Sequence, residues 1–501
     1  MSPVSIPELT SIDTLGALRD TGYEVRSVKD EIRSNLIQAL RDGRNPFPGV
    51  LGFEETVIPQ IQNAILGRHD FILLGLRGQA KSRILRLLPA LLDEHIPVVA
   101  GSDLNDNPFA PISRFARDLV AEQGDETPIA WLHRSQRYGE KLATPDTSIA
   151  DLIGDIDPIK AAHRKLTYAD EEVIHFGIIP RTNRGIFAIN ELPDLQPRIQ
   201  VGLLNIMEEQ DIQIRGFNIR FPLDVLMVFS ANPEDYTNRG SIITPLKDRI
   251  DSQIITHYPR TVETGIAITD QEAWQERDGQ VRVRVPHIFR EVIEQVAFEA
   301  RSSEYVDQNS GVSARMTRAA LENLISAAER RALLCGEQET TTRAADLWFI
   351  EAAVTGKLEL VYEGEQEGAQ TVAQVLTGRA LKTVFGRHFP PPDRDRAVYQ
   401  HVLSWFASGG TLELHHDMAL TEYASALDGV AGLRELAGTA GSPEERAVMM
   451  ELILEALHQH SLLGKETSAG RRAFVDMMGS MLSGIGADEE DPDLEDFDDE
   501  L

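Results

Sequence analysis

The sequence contains little cysteine, no long apolar run and comparatively few positive charges. Its single cysteine, Cys335, excludes an intramolecular disulfide and fits a reducing compartment. No apolar stretch approaches the ~20 residues that a membrane-spanning helix needs. The first twenty residues also lack the basic and then apolar pattern of a secretory signal. We therefore expect a soluble protein of the cytoplasm.

Basic residues are outnumbered: 49 Lys and Arg stand against 79 Asp and Glu, for a net charge of −30. A surface this acidic repels phosphate backbones, so we expect no nucleic-acid partner. Ten of the thirteen residues from Asp488 to Glu500 are acidic, a composition that cannot form a core. This pattern predicts a disordered acidic tail over residues 486–501.

The 501 residues leave room for several domains. Five short apolar runs alternate with amphipathic segments before residue 262, which predicts a mainly parallel sheet covered by helices on both faces. These runs are Phe71–Leu74, Ile96–Val99, Gly185–Asn190, Val225–Ser230 and Gln253–Thr256. The predicted division is a helical N-terminal extension (1–45), an α/β nucleotide-binding domain (46–262), a helical lid (263–362), a C-terminal helical region (363–485) and the tail (486–501).

The strongest motif is the stretch FILLGLRGQAKSRILRLL, in which a buried strand leads through a glycine turn into a helix. Glycines let successive backbone N–H groups point at phosphate oxygens, and the helix N-terminus adds its positive dipole end. Lys81 supplies charge to the β- and γ-phosphates, and the Ser82 hydroxyl can bind Mg²⁺. Ala80 stands where the usual pattern has glycine. We expect this alanine to be tolerated, on the view that the helix's first residue does not need a positive φ.

A second strand ends in Asn190-Glu191. P-loop ATPases place acidic residues at such a strand end, one for the Mg²⁺ shell and one to polarise the attacking water. Glu191 is the predicted water-activating base. Asn190 can still contact the metal shell but carries no charge, so we expect weaker Mg²⁺ binding.

Three further polar residues follow in order. Asn232 lies at the end of the next apolar strand, where its amide can orient water or contact a γ-phosphate. Arg249 precedes the last strand, and an arginine there suits the stabilisation of a transferring phosphoryl group. Taken alone, Arg249 is more typical of a surface ion pair. Arg315 stands at the entrance of a later helix.

This order of motifs resembles an AAA+ ATPase, and more narrowly the magnesium chelatase ATPase-subunit and MoxR-like type, over residues 46–360. The resemblance implies an α/β P-loop NTPase core with a helical lid, ATP and Mg²⁺ as cofactors, and ATP hydrolysis. It identifies GLRGQAKS as Walker A, GIFAINE as Walker B, Asn232 as sensor 1, Arg249 as an arginine finger and Arg315 as the sensor 2 arginine. The implied nucleotide contacts are Val50, Leu51, Gly75, Leu76, Arg77, Gly78, Gln79, Ala80, Lys81, Ser82 and Arg83, and the implied metal contacts are Ser82 and Asn190.

The same resemblance implies a ring, hexameric or similar, and a partner with a von Willebrand A-type domain. It also identifies the segments around residues 144–185 and 211–224 as two inserted hairpins. The client stays open between partner remodelling and metal or cofactor insertion.

Two other functions remain as alternatives. A nucleotide-gated scaffold with little hydrolysis is compatible with Asn190. A transcriptional regulator ATPase ranks lower, because the sequence lacks the GAFTGA loop of that class. Two histidine groups, His415-His416-Asp417 and His458-x-His460, lack structural zinc spacing and are expected to be packing or surface residues.

Overall fold

The computed structural model describes residues 10–157, 171–214, 220–233, 241–277, 279, 281–438, 442–468 and 471–477. The predicted acidic tail lies outside these residues. The chain forms two compact units, Met1–Tyr258 and Pro259–Leu501. The finer five-part division stays a prediction. No helix in the described part of the chain combines the length and apolar character needed to cross a membrane.

The first unit alternates helices and strands. In chain order its elements are α1 (Leu15–Asp20), α2 (Val28–Arg41), α3 (Val57–Leu66), β1 (Phe71–Leu74), α4 (Lys81–Leu87), β2 (His95–Val99), α5 (Arg114–Gln123), β3 (Ile129–His133), β4 (Tyr138–Leu142), α6 (Ile149–Leu152), β5 (Gly154–Ile156), β6 (Ile174–Phe176), α7 (Ile178–Arg181), β7 (Gly185–Asn190), α8 (Pro197–Glu208), β8 (Asp211–Gln213), β9 (Arg220–Pro222), β10 (Val225–Ala231), α9 (Thr244–Arg249) and β11 (Ser252–Ile255).

A five-stranded parallel sheet organises this unit, in the order β11-β1-β10-β7-β4. Alternate residues of each inner strand enter different apolar clusters. In β10, for example, Leu226 and Val228 join one cluster, whereas Met227 and Phe229 join the other. The sheet is therefore buried on both faces, as the continuous apolar runs predict. The predicted α/β fold, a parallel sheet between helices, is confirmed.

One predicted strand lies outside the central sheet. The run Ile96–Val99 does form a strand, β2, but it pairs antiparallel with β3 outside the central sheet. The central sheet instead contains β4, which pairs parallel with β7. Because β4 lies at the sheet edge, its sequence YGEKL carries polar residues and lacks the apolar run of a central strand.

The two predicted hairpins are present. Strand β5 pairs antiparallel with β6, and β8 pairs antiparallel with β9. Residues 158–170 and 215–219 of these segments lie outside the described residues.

The second unit is mainly helical. Its elements are α10 (Val262–Glu272), β12 (Arg282–Arg284), α11 (His287–Ser302), α12 (Ala314–Cys335), β13 (Glu339–Thr341), α13 (Glu351–Thr355), α14 (Tyr362–Glu367), α15 (Ala369–His388), α16 (Gln400–Ala407), β14 (Leu412–His415), α17 (Leu420–Asp428), α18 (Leu433–Ala437), α19 (Pro443–Gln459), β15 (Gly464–Ser468) and β16 (Arg471–Val475). Two apolar clusters form its core, and α19 contributes residues to both.

The region predicted as the C-terminal helical region (363–485) also contains strands. Strands β14, β16 and β15 form an antiparallel sheet in that order. They are four or five residues long and carry polar or charged residues, so they show no apolar run. An isolated antiparallel bridge joins Val306 to Leu360.

Candidate functional site

The glycine loop lies at the carboxyl end of β1, a central strand between β11 and β10. It connects β1 to α4, which begins at Lys81 as the motif predicts. At Gly75, a Cβ atom would lie 1.9 Å from Oγ1 of Thr256 and 2.2 Å from Oε1 of Gln79, so no side chain fits there. Gly78 has a φ of +75°, in the region that favours glycine.

Ala80 contradicts our expectation. It adopts the left-handed conformation, with φ 56° and ψ 12°, directly before α4. This is the conformation that makes glycine the usual residue at this position, so the methyl group is accommodated with backbone strain. Glu191, at the end of β7, is also left-handed, with φ 54°. Both strained positions belong to the predicted site, and such strain persists where surrounding structure holds it.

Lys81, Asn232 and Glu191 form a continuous hydrogen-bonded chain. The buried Lys81 ammonium donates to Oδ1 of Asn232 at 2.6 Å, and Nδ2 of Asn232 donates to Oε2 of Glu191 at 2.9 Å. Lys81 also donates to the carbonyl oxygens of Gly75 and Leu76. Since an ammonium can only donate and a carboxylate can only accept, the orientation of the Asn232 amide follows from its two partners. Three residues predicted from separate motifs thus meet at one edge of the sheet.

Asn190 is buried next to Glu191, and two partners hold its side chain. Its Nδ2 donates to Oε1 of Glu140 at 2.6 Å, and its Oδ1 accepts from Oγ of Ser230 at 2.9 Å. Oδ1 retains a second lone pair for a further donor or a cation. Ser82 is half-buried as the second residue of α4.

Two residues that follow β11 support the loop and were missed from the sequence. Thr256 donates from Oγ1 to Oε1 of the buried Gln79 at 2.7 Å, and the Tyr258 hydroxyl donates to the carbonyl oxygen of Arg77 at 2.9 Å. The signal was available for Thr256, because the carboxyl ends of parallel strands share one edge of the sheet. Glu140 was missed because β4 was not recognised as a strand.

The remaining predicted contacts of the loop differ in exposure. Arg77 and Arg83 are exposed, and Leu51 is half-buried. Val50 is buried in the apolar cluster that also holds Phe71 and Leu73. Contact of Val50 and Leu51 with a nucleotide stays a prediction.

Arg249 ends α9 and makes a surface ion pair within its own chain. Its guanidinium pairs with Glu208 of α8, with Nε donating at 2.8 Å, and donates to the Pro245 carbonyl oxygen at 2.9 Å. This is the surface ion pair that the residue alone suggested. Its role as a finger for a neighbouring site stays a prediction.

Arg315 belongs to the second unit, where it is the second residue of α12. Its backbone N–H donates to Oγ of Ser313 at 3.1 Å, and the residue is exposed. An exposed arginine at a helix start is available to a ligand, and its sensor role stays a prediction.

The histidine groups make ordinary packing contacts. The His416 ring stacks on Phe349 at 4.6 Å, and His460 bonds to Asp393 at 3.0 Å. Among the residues that the structure describes, no group of three His, Cys, Asp or Glu side chains is arranged to hold a metal ion.

No family model matches the chain. Among solved structures it is similar to NtrX from Brucella abortus, at 14% identity and a TM-score of 0.34, over 58% of this chain and 55% of that one. It is also similar to the complex of the BchI and BchD subunits of magnesium chelatase, at 20% identity and a TM-score of 0.34. That match covers 68% of this chain and 95% of that one. A third similar structure is closed-state Hsp104 with ATPγS and FITC casein, at 13% identity and a TM-score of 0.38. That match covers 70% of this chain and 55% of that one.

The chain thus spans only about half the length of NtrX and of Hsp104. At such identities and scores, nothing about activity, substrate or partners follows from these likenesses.

Proposed function

We propose that this chain binds and hydrolyses ATP as a ring motor of the AAA+ type. The observation that carries the proposal is the chain of contacts from Lys81 through Asn232 to Glu191. It links a lysine suited to triphosphate oxygens with a carboxylate suited to activating water. The motif order in the sequence is independent support.

The residues present fit a nucleoside triphosphate with Mg²⁺. The loop has no room for a side chain at Gly75 and places Lys81 at its end. Oxygen donors suit Mg²⁺, and the Ser82 hydroxyl and Oδ1 of Asn190 are the atoms that would hold it. When bound, the ion neutralises charge on the β- and γ-phosphates. Lys81 would bind phosphate oxygens, Asn232 would keep Glu191 oriented, and Glu191 would accept the proton of the attacking water.

The test compares the wild-type chain with Glu191→Gln, a change that preserves shape and removes the base. We expect nucleotide binding to be retained and phosphate release to fall by ~10²- to 10⁴-fold. Fluorescence titration with a labelled ATP analogue measures binding, and steady-state phosphate release measures turnover. Glu122→Gln, an exposed change on α5, is the matched control and should leave both unchanged. Equal turnover by wild type and Glu191→Gln would remove the hydrolase proposal.

The engagement of Asn190 favours a second candidate, a nucleotide-gated scaffold. Both polar ends of this amide already have partners, Glu140 and Ser230. In this alternative ATP binds and sets the assembly state with negligible hydrolysis. It predicts nucleotide-dependent assembly in light scattering that Glu191→Gln does not alter. Equal assembly with and without ATP would contradict it.

The wider features belong to the same proposal and rest on the motif order. They are a ring, hexameric or similar, a location in the cytoplasm, and a partner with a von Willebrand A-type domain. The magnesium chelatase and MoxR-like resemblance suggests partner remodelling or metal or cofactor insertion as the task. Pull-down with a candidate protein of that domain type, with and without ATP, tests the partner.

A further inference from the structure

The site lacks an acidic residue where Asn190 stands, yet a carboxylate lies directly behind it. Glu140 Oε1 accepts from Nδ2 of Asn190 at 2.6 Å. Because a carboxylate cannot donate, the amide nitrogen must face Glu140, and Oδ1 must face Ser230. The orientation of Asn190 is thus set by the neighbouring strand.

Glu140 is also tied to the helix that follows the phosphate loop. Its two oxygens accept from Nε and NH2 of Arg86 at 2.9 and 3.0 Å. Arg86 lies four residues after Ser82 in α4, so Ser82, Arg86 and Glu140 lie on one side of that helix. The Arg86 side chain is 65% exposed, whereas that of Glu140 is 21% exposed. Water therefore screens Arg86 more than it screens Glu140, and the arginine offsets only part of the carboxylate's charge.

We propose that Glu140 is a positioning residue for the metal of this site. It supplies from β4 the negative charge that position 190 lacks, and it leaves Oδ1 of Asn190 as the atom that meets the metal shell. Mg²⁺ on a triphosphate is held by one or two carboxylates together with the phosphates, and the residues that orient a ligand strongly affect its affinity. The inference rests on the proposed nucleotide site and adds a residue that the sequence motifs do not contain.

The test measures how strongly Mg²⁺ improves ATP binding. A fluorescent ATP analogue is titrated into each variant in EDTA and then over a range of Mg²⁺ concentrations. Glu140→Gln keeps the size and the acceptor oxygen and removes the charge. We expect it to raise by ~10- to 100-fold the Mg²⁺ concentration at which the improvement in ATP-analogue binding is half-maximal. Binding of the analogue in EDTA should be unchanged.

Two variants separate this role from a purely structural one. Arg86→Gln breaks the same ion pair but leaves Glu140 facing Asn190, and should shift the Mg²⁺ requirement by less than about fivefold. The double variant Glu140→Gln with Asn190→Asp moves the charge to position 190 and keeps a hydrogen bond between the two side chains. This double variant should need a Mg²⁺ concentration close to that of the wild type. Melting temperatures in EDTA report folding for each variant.

Three results would overturn the proposal. These are an unchanged Mg²⁺ requirement in Glu140→Gln, an equal shift in Arg86→Gln, or a double variant no better than Glu140→Gln. If Glu140→Gln does not fold, the variant Asn190→Asp gives the comparison. The proposal predicts that its Mg²⁺ requirement is at or below that of the wild type, and a higher Mg²⁺ requirement contradicts the proposal. A wild-type chain that binds no ATP in either condition would contradict the proposed function instead.

Discussion

At the residue scale, the left-handed alanine is the least expected feature of the site. Ala80 has the backbone conformation of a glycine position but carries a methyl group. The cost of this conformation for an L-residue is roughly 1–2 kcal/mol. The strained residue lies between the central strand β1 and the helix α4, which begins with Lys81. These two elements keep the loop in its geometry although the residue is an alanine.

Ala80→Gly should therefore stabilise the first unit by up to about 1 kcal/mol, because glycine adopts this φ without strain. The free energy of unfolding in urea measures the change. Ala121→Gly, the same substitution at an exposed position inside α5, should instead destabilise by about 1 kcal/mol. Destabilisation in both variants would show that Ala80 is not strained.

At the element scale, helix α2 is joined to the sheet by a buried ion pair. Arg137, just before β4, donates from NH1 and NH2 to the two oxygens of Glu31 at 2.7 Å each. Both side chains are buried, and Nε of Arg137 donates to the Arg184 carbonyl oxygen. Apolar residues of α2, including Ile32 and Leu36, pack in the same cluster as β1. The helix is thus part of the structure that supports the glycine loop.

Glu31→Gln should cost about 3–5 kcal/mol, because it leaves the Arg137 guanidinium buried without its counter-charge. Urea unfolding followed by circular dichroism measures the loss. Asp118→Asn breaks an exposed ion pair with Arg114 and should cost less than about 0.5 kcal/mol. A loss below about 1 kcal/mol in Glu31→Gln would mean that water or a rearranged partner compensates Arg137.

At the scale of the whole molecule, the proposed ring would have to form against charge repulsion. A net charge of −30 makes copies of the chain repel one another, and salt screens that repulsion. Arg249 pairs with Glu208 in the single chain, so in a ring it would have to exchange this partner for a neighbour's phosphate.

Mixing variants tests whether sites lie between subunits. Arg249→Ala and Glu191→Gln should each be inactive alone, while their mixture should regain phosphate release, because some interfaces then combine an intact Glu191 with an intact Arg249. Glu208→Gln is the control, since it frees Arg249 and should preserve activity. A mixture no more active than its components would place Arg249 outside the neighbour's site.

The central sheet and the loop were predictable because their signals are local. Buried strands such as β1, β7 and β10 appear in the sequence as apolar runs, and the glycine loop is one continuous motif. The edge strand β4 and the short antiparallel strands of the second unit escaped, since polar residues on exposed faces erase the apolar pattern.

The sequence by itself determined the class of fold and singled out Lys81, Glu191 and Asn232 as candidate site residues, because each follows a strand whose burial is visible in its composition. The tertiary structure alone decided what surrounds them. It showed that Ala80 is left-handed, that Asn232 joins Lys81 to Glu191, and that Glu140 faces Asn190. These facts depend on strand order and backbone geometry, which bring together residues 41 positions apart or more and leave no mark in the local sequence.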